Sequence, residues 1–302
     1  MFRSNKLILA TAMILAVIDF PAFAQEDLMD MLQKETAENA APDFATATFK
    51  TTRIINGHSV ENVAAGVLDL RISHRFGFIN AGAYELFGLD QATMRLGLDY
   101  GLTNRWMIGI GRSTYQKQFD GFTKYKLLRQ VSGGAPLTVS AVGTMMYKSL
   151  KFEDPARENY ITSNIFYSGQ LLVGRKFSER LSLQFMPTVI HYNLVKGAQD
   201  PNDVFAVGAG GRLKLSKRVS INAEYYYQLP GDKLPGTENS LAIGFDIETG
   251  GHVFQLNFTN STGMTERSFI AETTGKFFEG DIHFGFTISR VFTIVKPEVF
   301  KD

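Results

Sequence analysis

Seven ionisable residues carry whatever chemistry this chain can do: Asp69, Arg71, Arg95, Asp99, Arg212, Glu224 and Asp246. Each falls on the polar parity of a segment whose side chains alternate between apolar and small or charged. In an extended strand successive side chains point to opposite faces, so these residues share one face of whatever sheet the segments build. Turned toward an enclosed interior, they would make a mixed-sign lining. Such a lining either wets a channel for a small solute or ties itself together by salt bridges and holds the interior nearly shut.

Other chemistry finds little support in the residues. The five histidines, His58, His74, His191, His252 and His283, show no metal-ligand spacing. With no cysteine anywhere, disulfides, thiolate metal sites and a cysteine nucleophile are excluded. His283 and Ser289 fall on one face and form the basis of an alternative reading as a barrel hydrolase, although a serine and a histidine on one strand are a generic pair. The runs Gly208-Ala209-Gly210-Gly211 and Gly109-Ile110-Gly111 lack the helix and the Lys-Ser/Thr pair of a phosphate loop. No catalytic residue, cofactor site or metal site is therefore assigned, and the chain is not read as an enzyme.

The elements that position these residues are short and regular. Met94, Leu96, Leu98, Tyr100 and Leu102 alternate with Arg95, Gly97, Asp99 and Gly101. The same period recurs through Leu181, Leu183 and Phe185, through Leu241, Ile243 and Phe245, and through Phe284, Phe286 and Ile288. Runs of this length suit tilted strands crossing a hydrocarbon layer. Short polar connections are expected at 103–105, 132–136, 177–180, 216–218 and 249–251. Long ones are expected at 77–91, 117–121, 149–160, 193–203, 229–238 and 261–280. Short turns on one side and long loops on the other are the layout of outer-membrane barrels.

The fold class expected is all-β: a closed antiparallel up-and-down transmembrane β-barrel of about twelve strands, or fourteen if residues 46–63 also pair. Closure follows from hydrogen bonding, since an unpaired backbone group in hydrocarbon costs several kcal/mol. Tyr100, Trp106, Tyr147, Phe177, Phe205 and Phe292 near strand ends would form interfacial girdles. Arg112 and His191 share the apolar parity near long-loop ends, where they can reach headgroups. Pro187 lacks a donor and should bring a bulge or a local break. The basic run 124–129 lies near headgroups, as a solvated strand face or in touch with anionic lipid.

The ends set the compartment. Arg3 and Lys6, an apolar run from Leu7 to Ile18, and Ala22-Phe23-Ala24 make residues 1–24 a signal peptide. Residues 25–63 are expected as a periplasmic N-terminal tail or lumen segment, and 64–302 as the outer-membrane β-barrel. Removing residues 1–24 takes away two bases and one acid from a chain of net charge +1, which leaves it formally neutral. Nothing points to nucleic acid. The partners expected are outer-membrane lipids, the barrel-assembly machinery and an unidentified small solute or periplasmic protein. A soluble secreted β protein is the third reading.

Several runs carry a family resemblance: T-F-K-T-T-R-I-I-N-G-H-S-V-E at 48–61, L-R-I-S-H-R-F-G at 70–77, F-G-L-D at 87–90 and M-R-L-G-L-D-Y-G-L-T at 94–103. I-G-I-G-R-S at 108–113, D-G-F-T-K-Y-K-L-L-R-Q at 120–130, H-V-F-Q-L-N-F-T-N-S at 252–261 and G-D-I-H-F-G-F-T-I-S-R at 280–290 complete the set. Together they resemble a Bacteroidota β-barrel family classed as a domain of unknown function. The resemblance covers nearly the whole mature chain. It implies an outer-membrane barrel in that phylum and brings no substrate, reaction or catalytic residue with it.

Overall fold

The computed structural model describes residues 43–152, 158–195, 197 and 199–296. Segment 1–24, expected as a signal peptide, and the expected tail up to residue 42 lie outside them. From Phe44 onward the chain forms one folded unit.

Twelve antiparallel strands close on themselves: β1 (Val67–Phe78), β2 (Ala92–Gly101), β3 (Trp106–Ser113), β4 (Gln118–Leu128), β5 (Thr138–Lys148) and β6 (Ile165–Lys176), then β7 (Leu181–Tyr192), β8 (Asp203–Lys214), β9 (Val219–Gln228), β10 (Ser240–Thr249), β11 (His252–Thr259) and β12 (His283–Thr293). Each strand pairs with its neighbours in sequence. The closing seam joins β1 to β12, with Leu70 opposite Arg290 and Ile72 opposite Ile288. No edge is left, which hydrocarbon requires. Residues 46–63 supply no barrel strand.

The alternation anticipated from sequence holds strand after strand. In β2, Met94, Leu96 and Leu98 are exposed on the outer surface while Arg95, Asp99 and Gly101 are buried inside. Ile110, Leu183, Phe185, Tyr225 and Leu256 extend the same exposed apolar belt around the barrel. A belt of this extent is far larger than the apolar patches a soluble monomer leaves in water. Among the described residues no helix is long and apolar enough to cross a membrane.

Pro187 behaves as its missing donor dictates. On the β8 side it keeps its place opposite Val207. On the β6 side pairing runs to Gln170–Thr188 and resumes at Val173–Phe185, so the ladder is interrupted without a change of register. Of the two outward polar residues, Arg112 lies with its guanidinium 5.3 Å from the Phe119 ring, and His191 Nδ1 is 2.8 Å from Asp203 Oδ1.

Two expected loops are corrected. Residues 118–121 belong to β4, which leaves only 114–117 between β3 and β4. Two glycine-free positions there, Gln116 and Lys117, take positive φ to make so tight a connection. The loop from Asn260 is not a free polar excursion either. Met264, Phe269, Ile270 and Ala271 are buried in it, and a single helical turn at Arg267–Ala271 fills the long-loop end of the lumen.

Candidate functional site in the lumen

Residues 44–65 enter the barrel at the short-turn end, reverse deep inside and leave by the same end. At the entrance Phe44 pairs with Val131, and at the exit Ala65 pairs with Gly101. Between them Ile54 N donates to Gly57 O at 2.8 Å and Ser59 N to Thr52 O at 3.0 Å, the ladder of a small hairpin that turns at Ile55-Asn56. Gly57 is required by close approach: a Cβ there would lie 2.0 Å from the Tyr226 hydroxyl.

The barrel wall holds this hairpin through its backbone. The Glu224 carboxylate accepts from the amides of Ile55 (3.2 Å), Asn56 (2.8 Å) and Gly57 (3.1 Å), so successive N–H groups converge on one anion. Lys124 does the converse, donating to the carbonyls of Thr52, Ser59 and Glu61. Gln184 takes both senses, accepting from Val60 N at 2.8 Å and donating to His58 O at 2.7 Å. Gln255 Nε2 donates to Ile54 O at 2.7 Å. On β5, β6, β7 and β9, Met146, Leu172, Met186, Ile190 and Tyr226 pack with Phe49, Ile54, Ile55 and Val60 of the hairpin and with Phe269 and Ile270 of the inward loop. The interior is therefore filled like the core of a soluble protein.

At the centre the hairpin meets that loop. Arg53 Nη1 donates to Glu266 Oε1 at 2.9 Å, with both side chains buried. His58 Nε2 lies 3.2 Å from the same oxygen, yet neither ring nitrogen of this fully buried imidazole has a hydrogen-bond partner. Burial, reinforced by the Arg53 and Lys124 charges, holds His58 well below the ordinary histidine range. The loop's own Arg267 is forked onto Glu272 at 2.9 and 2.8 Å and lies 3.9 Å over the Phe166 ring.

All seven residues singled out from sequence are buried in this interior, but no two of them form an ion pair. Most of them serve the hairpin instead. Glu224 holds its tip, Arg212 donates to Ala47 O at 2.8 Å, and Asp99 accepts from Thr52 Oγ1 at 2.9 Å. Arg71 donates to the same Thr52 hydroxyl at 3.3 Å. Arg95 forks onto Asp120, Asp69 accepts from Ser289, and Asp246 accepts from Gln255. Their partners lie mostly on the hairpin because a buried backbone needs polar groups to satisfy it, and the inserted segment brings many such groups into the lumen.

Several residues of the site were not singled out. Asp120 lay in an expected loop, Glu266 in another, and Lys124 was placed near headgroups. Lys124 is fully buried on the lumen face. Its signal was parity, since Gln118, Asp120, Phe122 and Lys124 alternate inward along β4. The hydrolase pair does not assemble. Six residues along one strand put His283 and Ser289 about 20 Å apart. Ser289 is bound to Asp69, and His283 to Thr262 and the Phe76 carbonyl. Among the described residues no group of three or more carboxylates and imidazoles could hold a metal.

Two spaces remain around the hairpin. A cavity of about 510 Å³ opens at the short-turn mouth between Phe49, Lys50 and Glu61 of the hairpin and Asp69, Glu248 and His252 of the wall. A second, of about 20 Å³, is internal and lies between Arg53 and Asn56 of the hairpin and Arg71, Arg75 and Arg95 of the wall.

A closed twelve-stranded barrel with an apolar outer belt and a filled polar interior defines a membrane-bound β-barrel protein. The chain belongs to the family Membrane bound beta barrel domain (DUF5777), whose model matches residues 49–292. That match takes in most of the lumen hairpin as well as the strands. A comparison with curated proteins found no match. Among solved structures the chain is similar to the NanC porin, with 11% identity over 76% of this chain and 100% of that one at a TM-score of 0.47. It is similar also to the KdgM porin, with 9% identity over 75% and 99% at a TM-score of 0.45. An outer membrane channel from Pseudomonas putida F1 shares 12% identity over 77% and 98% at a TM-score of 0.47.

Proposed function

We propose that this protein is an outer-membrane barrel for passage of a small polar solute, exported by its N-terminal signal peptide and closed at rest by the hairpin of residues 44–65 at one end and the inward β11–β12 loop at the other. The hairpin enters and leaves through one mouth, and this observation carries the reading. A segment so placed withdraws without threading past any strand. Many of its wall contacts are hydrogen bonds to its backbone, which water replaces at modest net cost. Behind it stands a wall of Asp, Arg, Gln, Ser and Thr side chains that a hydrated solute can wet. Under this reading the short turns face the periplasm, and the mouth is where a periplasmic partner acts.

A reversible lock tests the proposal. A Cβ at Gly174 would lie 2.9 Å from Val60 Cγ1, close to the spacing a disulfide needs. With no native cysteine, Val60→Cys with Gly174→Cys makes one defined cross-link. In planar bilayers the oxidised protein should carry no current, and reduction should restore opening events. Equal currents in the two states would show that passage does not require the hairpin to move.

A further inference from the structure

We propose that the small internal cavity beside β1 and β2 is a binding site for a small inorganic anion of halide size. Its lining brings together four guanidinium groups, Arg53, Arg71, Arg75 and Arg95, and contains no carboxylate. Its volume of about 20 Å³ suits a monatomic ion or one water-sized group.

The hydrogen-bond inventory of these arginines is uneven. Arg95 is satisfied by Asp120 and Arg53 by Glu266. Arg75 donates from Nη1 to the carbonyls of Ser261 and Gly263 and from Nη2 to Asn56 Oδ1, but its buried Nε has no partner. Arg71 is almost wholly buried and forms no ion pair among the described residues. The hydrogen bond it makes there is the 3.3 Å contact to Thr52. Arg71 and Arg75 stand on one face of β1, with Arg95 of β2 between them, opposite Ser73. A guanidinium offers five donors, and leaving them unanswered in a buried site is costly. An anion among these three groups answers Arg75 Nε and adds a partner for Arg71 beyond its long contact to Thr52. The Ser73 hydroxyl on the lining, which accepts from Thr287 Oγ1 at 3.1 Å, supplies a neutral donor. Because one side of the cavity is Arg53 and Asn56 of the hairpin, the ion also bridges hairpin to wall. The site depends on the closed lumen described above and not on solute passage.

The test uses the full chain purified in detergent, with bromide as the probe. Thermal unfolding in bromide or chloride should rise to a saturating plateau at millimolar concentration, relative to the bulky gluconate at equal ionic strength. Bromide-soaked crystals should show an anomalous peak between Arg71 and Arg75. Arg71→Gln and Arg75→Gln should each weaken the halide response about tenfold, the loss of one charge-assisted hydrogen bond. Arg71→Lys, which keeps the charge, should retain part of it, and Arg175→Gln on the outer surface should leave it unchanged. No saturable halide effect on the unmodified protein, or a peak in the crystal without one in solution, overturns the proposal. Passage can fail its own test while this site stands, since the halide titration reads the resting protein.

Discussion

Arg53 of the lumen hairpin and Glu266 of the β11–β12 loop meet across 2.9 Å in the middle of the barrel. One enters from the short-turn mouth and the other from the long-loop end, so a buried ion pair joins the two inserts that fill the lumen. Removing one partner strands the other charge, which typically costs 3–5 kcal/mol. Arg53→Met and Glu266→Gln should each lower the thermal transition sharply, while the double variant should lose much less than their sum. A double-mutant cycle on unfolding reads this coupling. Additive losses would mean that the inserts are held independently.

Glu224 is the anchor of the hairpin tip. Glu224→Gln keeps the shape and removes the charge from three amide hydrogen bonds, a loss of about 1.5–3 kcal/mol for a charged acceptor. Amides of residues 54–60 should then exchange faster with solvent by hydrogen-exchange mass spectrometry, while those of β5 to β8 stay protected. Unchanged exchange at 54–60 would remove Glu224 from the anchoring role.

Gly57 tests how closely the tip is seated. Gly57→Val places carbon where the Tyr226 hydroxyl now sits, so the tip must withdraw from the wall. The barrel should still assemble, and open time in planar bilayers should increase. Pairing Gly57→Val with Tyr226→Phe should recover part of the closed behaviour.

His58 makes the seat pH-dependent. Burial depresses its protonation, with Arg53 and Lys124 adding to the effect, Asp99 opposing it, and Arg95 lowering it further. Above the ordinary histidine value of about 6.5 both the docked and the released hairpin are neutral here, and no penalty arises. As pH falls below that value the released hairpin takes a proton that the docked one resists. Docking then weakens by up to about 1.4 kcal/mol per pH unit until the buried ring itself titrates. Open probability should therefore rise between pH 7 and pH 5, and His58→Gln should flatten the profile.

Ile110 reports on the membrane. It lies mid-strand in β3 with its side chain 64% exposed on the outer belt. Ile110→Lys should cost roughly 2–4 kcal/mol at the bilayer midplane, seen as a lower urea midpoint for folding into vesicles. Arg112→Lys, nearer the loop end, should be close to neutral by the same measurement.

Sequence alone determined the wall. Period-two alternation in Met94 to Leu102 or Leu181 to Phe185 is local information: each residue's face follows from its number along the strand, so the outer belt and the inward set from Asp69 to Asp246 were legible, while the count of twelve or fourteen strands was left for the structure. Even the interruption at Pro187 follows from one missing donor. Tertiary structure alone decided what the interior contains. No periodicity in residues 48–61 says whether Thr52 or His58 lies in water or against Lys124, or where the segment turns. Glu266 reads as one more polar loop residue until Arg53 stands beside it. The physical reason is that faces are set by backbone geometry over a few residues, whereas partners inside a closed barrel are set by which distant segments fit the enclosed volume and satisfy its buried donors and acceptors.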